Sequence, residues 1–96
     1  MWKVFASKRF EKQLDKLDPQ ISVRILQDME CLKEDPLHSE PSEDPRAKRL
    51  GLRYIRVAQT WRLFFRIQNK QVFVEFVAHR ETGHEEIARF LRSLNL

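Results

Sequence analysis

From Trp61 to Ile67 apolar and charged residues alternate with a period of two. Trp61, Leu63, Phe65 and Ile67 share one face of an extended chain, and Arg62, Phe64 and Arg66 share the other. This alternation predicts a strand with one buried and one charged face. A shorter alternation, Trp2, Val4 and Ala6 against Lys3 and Phe5, predicts a strand over residues 2 to 6. The period then becomes helical. Ser7 offers a side-chain oxygen to the free N–H groups of a helix start, and Phe10, Leu14 and Leu17 give that helix an apolar stripe. Asp18-Pro19 supplies an N-cap and a proline at the first helical position, after which Ile21, Ile25, Leu26, Met29 and Leu32 continue the helical spacing. The two helices form a hairpin. Its exposed positions, Glu11, Lys12, Asp15, Lys16, Arg24 and Asp28, are mixed in sign, as expected of helices that only cover a sheet.

Residues 35 to 47 hold three of the four prolines together with serine and acids, so a loop without helix or strand is expected there. His38 lies in it and reads as a solvated loop histidine. Lys48 to Val57, Trp61 to Ile67 and Gln71 to Ala78 then read as three strands. The short links Ala58-Gln59-Thr60 and Gln68-Asn69-Lys70 make them an antiparallel meander. On the first strand Leu52, Tyr54 and Arg56 oppose Arg53, Ile55 and Val57, so both faces are mixed and the core side is ambiguous. On the third, Val72, Val74, Phe76 and Ala78 form one continuous apolar set against Phe73, Glu75 and Val77, which fits an interior strand covered on both sides. Thr82 and Glu85 have the spacing of a capping box, and Ile87, Phe90, Leu91 and Leu94 supply the stripe of a C-terminal amphipathic helix. Packing of that stripe on the chain's own sheet is the default expectation.

Composition narrows the class. A chain of 96 residues with 42% hydrophobic and 33% charged residues, two glycines and four prolines is that of an ordered globular protein, expected to form a single domain over residues 1 to 96 around one core. Cys31 has no second cysteine to pair with, and together with His38, His79 and His84 it shows no metal-ligand spacing, so neither a metal nor another cofactor is expected. No apolar run is long enough for a membrane span, and residues 1 to 17 lack the core of a signal peptide, which predicts a soluble, cytoplasmic protein without membrane contact. The net charge of +4 is unevenly distributed: residues 27 to 45 hold seven acids and one base, and residues 46 to 66 hold seven bases and no acid. A one-sign surface of this kind attracts polyanions, with nucleic acid the leading partner class and an acidic protein drawn equally well; an ordinary solvated face is the blander alternative.

No phosphate-binding glycine loop, paired-carboxylate pattern or nucleophile elbow is present, and spacing alone describes a binding module. The constellation with chemical potential is cationic: Arg53, Arg56, Arg62 and Arg80 on or beside neighbouring strands, with His84 just after. Guanidinium groups hold phosphate oxygens bidentately and suit a transition state that carries extra negative charge. His84 is expected in the first turn of the last helix, where free N–H groups and the positive dipole end favour an anion. A neutral imidazole near a phosphate is a proton-transfer group.

Lys48-Arg49-Leu50-Gly51-Leu52-Arg53-Tyr54-Ile55-Arg56-Val57, the Trp61-Arg62-Leu63-Phe64-Phe65 strand, the Val74 to Val77 strand ending in His79-Arg80, and the Ser7-Lys8-Arg9-Phe10 opening resemble the RelE/ParE superfamily of bacterial toxins over nearly the whole chain. The resemblance implies an α+β fold in which an N-terminal strand and a helical hairpin pack on an antiparallel four-stranded sheet, with a C-terminal helix. For the RelE branch it implies a toxin of a type II toxin-antitoxin system that cleaves mRNA on the ribosome without a metal, by attack of the ribose 2′-hydroxyl on the adjacent phosphate. Arg62 and Arg80 match the family's transition-state arginines. Arg56 matches a basic position that contacts RNA, and Tyr54 falls where a basic residue stands in RelE. Lys48, Arg49, Arg53, Arg56 and Tyr54 form the expected RNA-binding set. Where relatives often carry a tyrosine, this chain has Glu81-Thr82-Gly83-His84-Glu85-Glu86, and His84 is expected to transfer the proton instead; the three acids, Glu81, Glu85 and Glu86, are expected to oppose an anion there unless they point away or one serves as a base. The expected partners are an acidic antitoxin, the ribosome and mRNA. Two other functions remain open: a non-catalytic ParE-like toxin that inhibits DNA gyrase by binding, and an inactive RNA-binding relative.

Overall fold

A computed structural model describes residues 1–94 of the chain. In order it forms strand β1 (Lys3–Ala6), helices α1 (Lys8–Lys16) and α2 (Pro19–Met29), a 3₁₀ turn (Glu30–Lys33), a short strand β2 (Glu40–Pro41) and helix α3 (Pro45–Arg49). Strands β3 (Arg53–Val57), β4 (Trp61–Gln68) and β5 (Gln71–His79) follow, and then helix α4 (Gly83–Ser93). The sheet has five strands in the order β1-β5-β4-β3-β2. Strands β2 to β5 are antiparallel to their neighbours, whereas β1 joins β5 in parallel, with Lys3 opposite Gln71 and Ala6 opposite Val74. The fold class is the expected α+β one, but the sheet is five-stranded and mixed: the expected N-terminal strand joins it in parallel, and β2 supplies an antiparallel edge strand that was not expected.

The predicted caps of the hairpin are present. Ser7 Oγ accepts from the Phe10 N–H at 3.1 Å, and the Asp18 carboxylate accepts from the Gln20 N–H at 2.8 Å, with Pro19 opening α2. Leu26, assigned to the apolar stripe, is exposed beside Val23; Ile21, Ile25, Met29 and Leu32 carry the stripe without it.

The single core expected from chain length is divided by the sheet into two layers. On one face Phe10, Ile25 and Leu32 from the α1–α2 side pack against Val57, Leu63, Phe65, Val72, Val74 and Val77. On the other, Ile87, Phe90 and Leu91 of α4 and Ala47 of α3 pack against Leu52, Tyr54, Phe64, Phe76 and Ala78. This settles the ambiguity of β3, because both of its mixed faces contribute to a core. It also shows that the terminal helix packs on its own sheet.

The continuous apolar face assigned to β5 does not exist. In the β4–β5 ladder Phe64 pairs with Phe76 and Phe65 with Val74, so Glu75 is an extra residue opposite the Phe64–Phe65 link. A bulge of this kind shifts the side-chain phase by one residue. Val72 and Val74 before it and Val77 after it face the α1–α2 layer, whereas Phe76 and Ala78 face α4. The bulge is held from both sides. Ser7 Oγ donates to the Glu75 carbonyl at 2.6 Å, and Arg66 Nε donates to the Glu75 carboxylate at 2.7 Å.

Two further boundaries differ from expectation. Residues 35 to 47 are not structureless: Glu40-Pro41 pair with Arg53 and Tyr54, and Asp44-Pro45 start α3 with the same N-cap and proline device as Asp18-Pro19. Lys48 and Arg49 therefore belong to a helix and not to the first strand. Gly51, at φ +83°, ends that helix, with the Leu52 N–H donating to the Ala47 carbonyl and the Gly51 N–H to the Lys48 carbonyl. The Thr82–Glu85 capping box does not form. Thr82 makes no side-chain cap, and its hydroxyl instead lies 3.4 Å from the His79 carbonyl.

Strand β1 covers β5 only as far as Val74, and the side chain of Gln13 takes over beyond it. Its amide donates to the Val77 carbonyl and accepts from the Val77 N–H, both at 2.8 Å, standing in for a neighbouring strand. Replacing Gln13 by alanine leaves two backbone groups without these partners, and Gln13→Ala is expected to lower the unfolding free energy by about 2 kcal/mol. The check is a lower urea midpoint at unchanged slope; an unchanged midpoint would show that water satisfies these groups.

Candidate functional site

Successive residues of a strand point to opposite faces. Because Leu63 and Phe65 face the α1–α2 layer, Arg62 and Phe64 face α4. By the same rule the bulge sends Phe76, Ala78 and then Arg80 to the α4 face, while His79 goes with Val77 to the other. An aromatic ladder fixes the ground beneath: Tyr54 to Phe64 (5.4 Å between centroids), Phe64 to Phe76 (4.7 Å) and Phe76 to Phe90 (5.3 Å) join β3, β4, β5 and α4. The Arg62 guanidinium lies over the Tyr54 ring at 4.8 Å from its centroid.

Arg62, Arg80, His84 and Tyr54 line one small cleft with Phe64, Gly83, Ile87, Glu43 and Asp44. Of the eight residues singled out from sequence, four meet here. Arg56 is the Cα partner of Arg62 across the β3–β4 ladder and stands on the same face, but it is exposed and turned to Glu40 at 3.8 Å. Arg53 is not part of the group. It lies on the opposite face, with its guanidinium donating to the Ser39 hydroxyl and carbonyl, both at 2.7 Å, where it tethers the preceding loop. Lys48 and Arg49 project from α3, and Arg49 lines a separate groove with Arg46 and Arg92.

The acids feared at the site are elsewhere. Neither Glu81 nor Glu85 lines the cleft, and Glu86 turns away to Arg89 (2.9 Å) and Gln13 (3.4 Å). The cleft's carboxylates are Glu43 and Asp44, which the sequence reading missed. Glu43 Oε1 sits 3.8 Å from Arg62 Nη1 and 3.5 Å from the Tyr54 hydroxyl. The available signal was charge: an acid run directly preceding a basic one folds back on it. The one-sign surface expected from the charge distribution is thereby broken up, since Glu40, Glu43 and Asp44 each face an arginine. Asp44 also caps α3, accepting from the Arg46 and Ala47 N–H groups at 2.8 and 3.3 Å. The hydrogen-bonded Arg46 side chain holds the Asp44 carboxyl below the ordinary range, against a smaller upward push from burial.

Two guanidiniums, an imidazole and a carboxylate thus border one cleft, groups whose chemistry suits phosphate binding and proton transfer. No cluster of three or more potential metal-ligating side chains occurs among the described residues, and none of the helices there is long and apolar enough to cross a membrane.

Comparison with known proteins identifies the family and the fold. The profile of the family described as "ParE toxin of type II toxin-antitoxin system, parDE" matches residues 4–83. The chain belongs to this family of type II toxin-antitoxin toxins, within the RelE/ParE superfamily. Among solved structures it is similar to the toxin-antitoxin complex RelBE2 from Mycobacterium tuberculosis, at 26% identity and TM-score 0.69 over 82% of this chain and 98% of that one. The chromosomal ParDE system from P. aeruginosa (16% identity, TM-score 0.64, 82% and 96% coverage) and the archaeal RelE-RelB complex from Pyrococcus horikoshii (16%, 0.58, 82% and 94%) share the fold. A search of curated protein sequences finds no match.

Because the folded state holds the Asp44 proton less readily than the unfolded chain, the cap stabilises above the unfolded carboxylate pKa of about 3.9 and loses its effect as pH falls through the lower folded value. Asp44→Ala is expected to cost about 1 kcal/mol at neutral pH, with the gap to the unaltered chain closing under acid. Urea titrations at neutral and acid pH check this; a pH-independent gap would exclude the carboxylate as its source.

Proposed function

We propose that this toxin is a metal-independent endoribonuclease that cleaves mRNA on the ribosome. The convergence of Arg62, Arg80 and His84 on one cleft is the observation that supports the reading most. In the proposed step the ribose 2′-oxygen bonds to the adjacent phosphorus and the bond to the 5′-oxygen breaks. A 2′,3′-cyclic phosphate and a 5′-hydroxyl result. Arg62 and Arg80 stabilise the doubly charged equatorial oxygens of the phosphorane. Glu43, close to Arg62, accepts the 2′-hydroxyl proton, and His84 donates one to the leaving 5′-oxygen. Tyr54 supports the Arg62 guanidinium, and Arg56, Lys48 and Arg49 hold flanking RNA backbone, whereas the tether to Ser39 speaks for a structural role of Arg53. The reading places residues 1 to 96 in a single cytoplasmic domain. Similarity to toxins solved as complexes with antitoxins supports a cognate acidic antitoxin that covers the basic site.

The match to the ParE family favours a second reading, in which the chain inhibits DNA gyrase by binding and performs no chemistry. Mapping mRNA ends after adding the protein to translating ribosomes separates the two. Cuts within A-site codons that disappear in folded Arg62→Ala and Arg80→Ala variants are expected. Intact mRNA together with blocked gyrase supercoiling would replace the endonuclease by the inhibitor. His84→Gln is expected to slow cleavage by roughly 100-fold or more, and an unchanged single-turnover rate would remove His84 from proton transfer.

A further inference from the structure

The mixed charges of α1 are sorted by the fold. Arg9, Lys12 and Lys16 stand on one helical face and line a groove of about 630 Å³ between α1 and α4, to which Arg89 adds a fourth cation. Glu11 and Asp15 do not line it. The groove's only carboxylate among its lining residues, Glu86, is occupied by Arg89 at 2.9 Å and by Gln13 at 3.4 Å. Among the described residues Arg9, Lys12 and Lys16 form no ion pair, in contrast to Arg56 and Arg62 on the strands, which face Glu40 and Glu43. Three cations on one face of α1 are therefore left without a carboxylate partner among the described residues.

The groove also presents flat rings. Trp61 and His79 are Cα partners across β4 and β5, their rings meet edge to face at 5.3 Å, and both are half-buried. Each immediately precedes a cleft residue, Arg62 and Arg80, and by strand alternation points to the opposite face. Groove and cleft thus lie back to back at the same end of the β4–β5 hairpin, with the first turn of α4 between them: Thr82 and Glu86 border the groove, and Gly83, His84 and Ile87 border the cleft.

We propose that the α1–α4 groove is a second RNA-binding site, which holds a single-stranded segment flanking the phosphate in the cleft. The proposal extends the RNA reading above and rests on it. Cations placed to follow a backbone beside partly accessible aromatic rings are the combination that binds single strands without sequence readout. An acidic peptide would satisfy the charges and leave the rings unused.

The test measures binding of the full chain to a labelled single-stranded RNA oligonucleotide with 2′-O-methyl sugars, which cannot be cleaved, across a salt series. Each phosphate contact contributes about 0.7 to the slope of log affinity against log salt for single strands. Lys12→Gln/Lys16→Gln, with helix-compatible and exposed replacements, is expected to reduce that slope by about 1.4 and to weaken binding about tenfold or more at low salt. Lys70→Gln, at the far end of the β4–β5 hairpin, is expected to change neither. An unaltered slope in the double variant, an equal loss in Lys70→Gln, or a loss of binding to an acidic peptide with RNA binding intact would each overturn the proposal. Groove-dependent binding without mRNA cleavage would leave the groove standing and remove the endonuclease reading. Cleavage that depends on Arg62 and Arg80 with unchanged RNA binding in Lys12→Gln/Lys16→Gln would do the reverse.

Discussion

The extra residue at Glu75 sets the geometry on which both the core and the site depend. In a regular strand of this same sequence Val72, Val74, Phe76, Ala78 and Arg80 would share one face, and Arg80 would project into the layer of α1 and α2, away from Arg62. The bulge moves the second half of β5 by one step in phase, so that Phe76 completes the aromatic ladder to Phe90 of α4 and Arg80 arrives on the face of Arg62. Its cost in ladder hydrogen bonds is offset locally. Ser7, while capping α1, donates to the Glu75 carbonyl, and Gln13 replaces the missing strand at Val77. One short helix thus closes the edge of β5 that β1 leaves uncovered beyond Val74.

Electrostatics bears on both the stability of the site and its proposed ligand. Arg56 and Arg62 sit directly across from each other on adjacent strands, an arrangement that destabilises a sheet. Glu40 and Glu43 relieve it at 3.8 Å each. Partly exposed pairs at such distances contribute about 0–1 kcal/mol. Charge-assisted hydrogen bonds to a well-placed anion contribute about 1.5–3 kcal/mol each, so the proposed RNA phosphate would outcompete the carboxylates for the arginines. In the proposed reaction the loop that neutralises the strands in the free protein also supplies the proton acceptor.

Much of the fold was legible. The Ser7 and Asp18 caps, the apolar stripes of α1, α2 and α4, and the β4–β5 hairpin follow from local chemistry that each segment carries by itself. The misreadings share a cause. Asp44-Pro45 and Gly51 announce α3 in the terms that announce α2, but Pro36, Pro41 and Pro45 in the same stretch equally mark a loop. Thr82 had the spacing of a capping box, yet its hydroxyl is directed to the end of β5. Glu75 fits a smooth alternation in sequence, and only pairing with β4 reveals it as surplus. Of the site, the guanidiniums were legible because arginines alternating with apolar residues mark a strand face. Glu43 was not, since a carboxylate in a proline-rich stretch acquires meaning only when the loop folds across β3.

By itself, then, the sequence determined the helices and strands other than β2 and α3, that helices cover a basic, aromatic sheet, and a set of cations from which a phosphate site could be drawn. Tertiary structure decided which of them meet. Side-chain facing is a parity property: a single bulged residue reverses it for everything downstream, and the period-two pattern of a strand carries no mark of that shift until a neighbouring strand sets the register. The same holds for charge, where runs of opposite sign in sequence become neighbours in space, and three cations without an ion pair among the described residues, Arg9, Lys12 and Lys16, line one groove from α1, a helix whose sequence reads as mere cover.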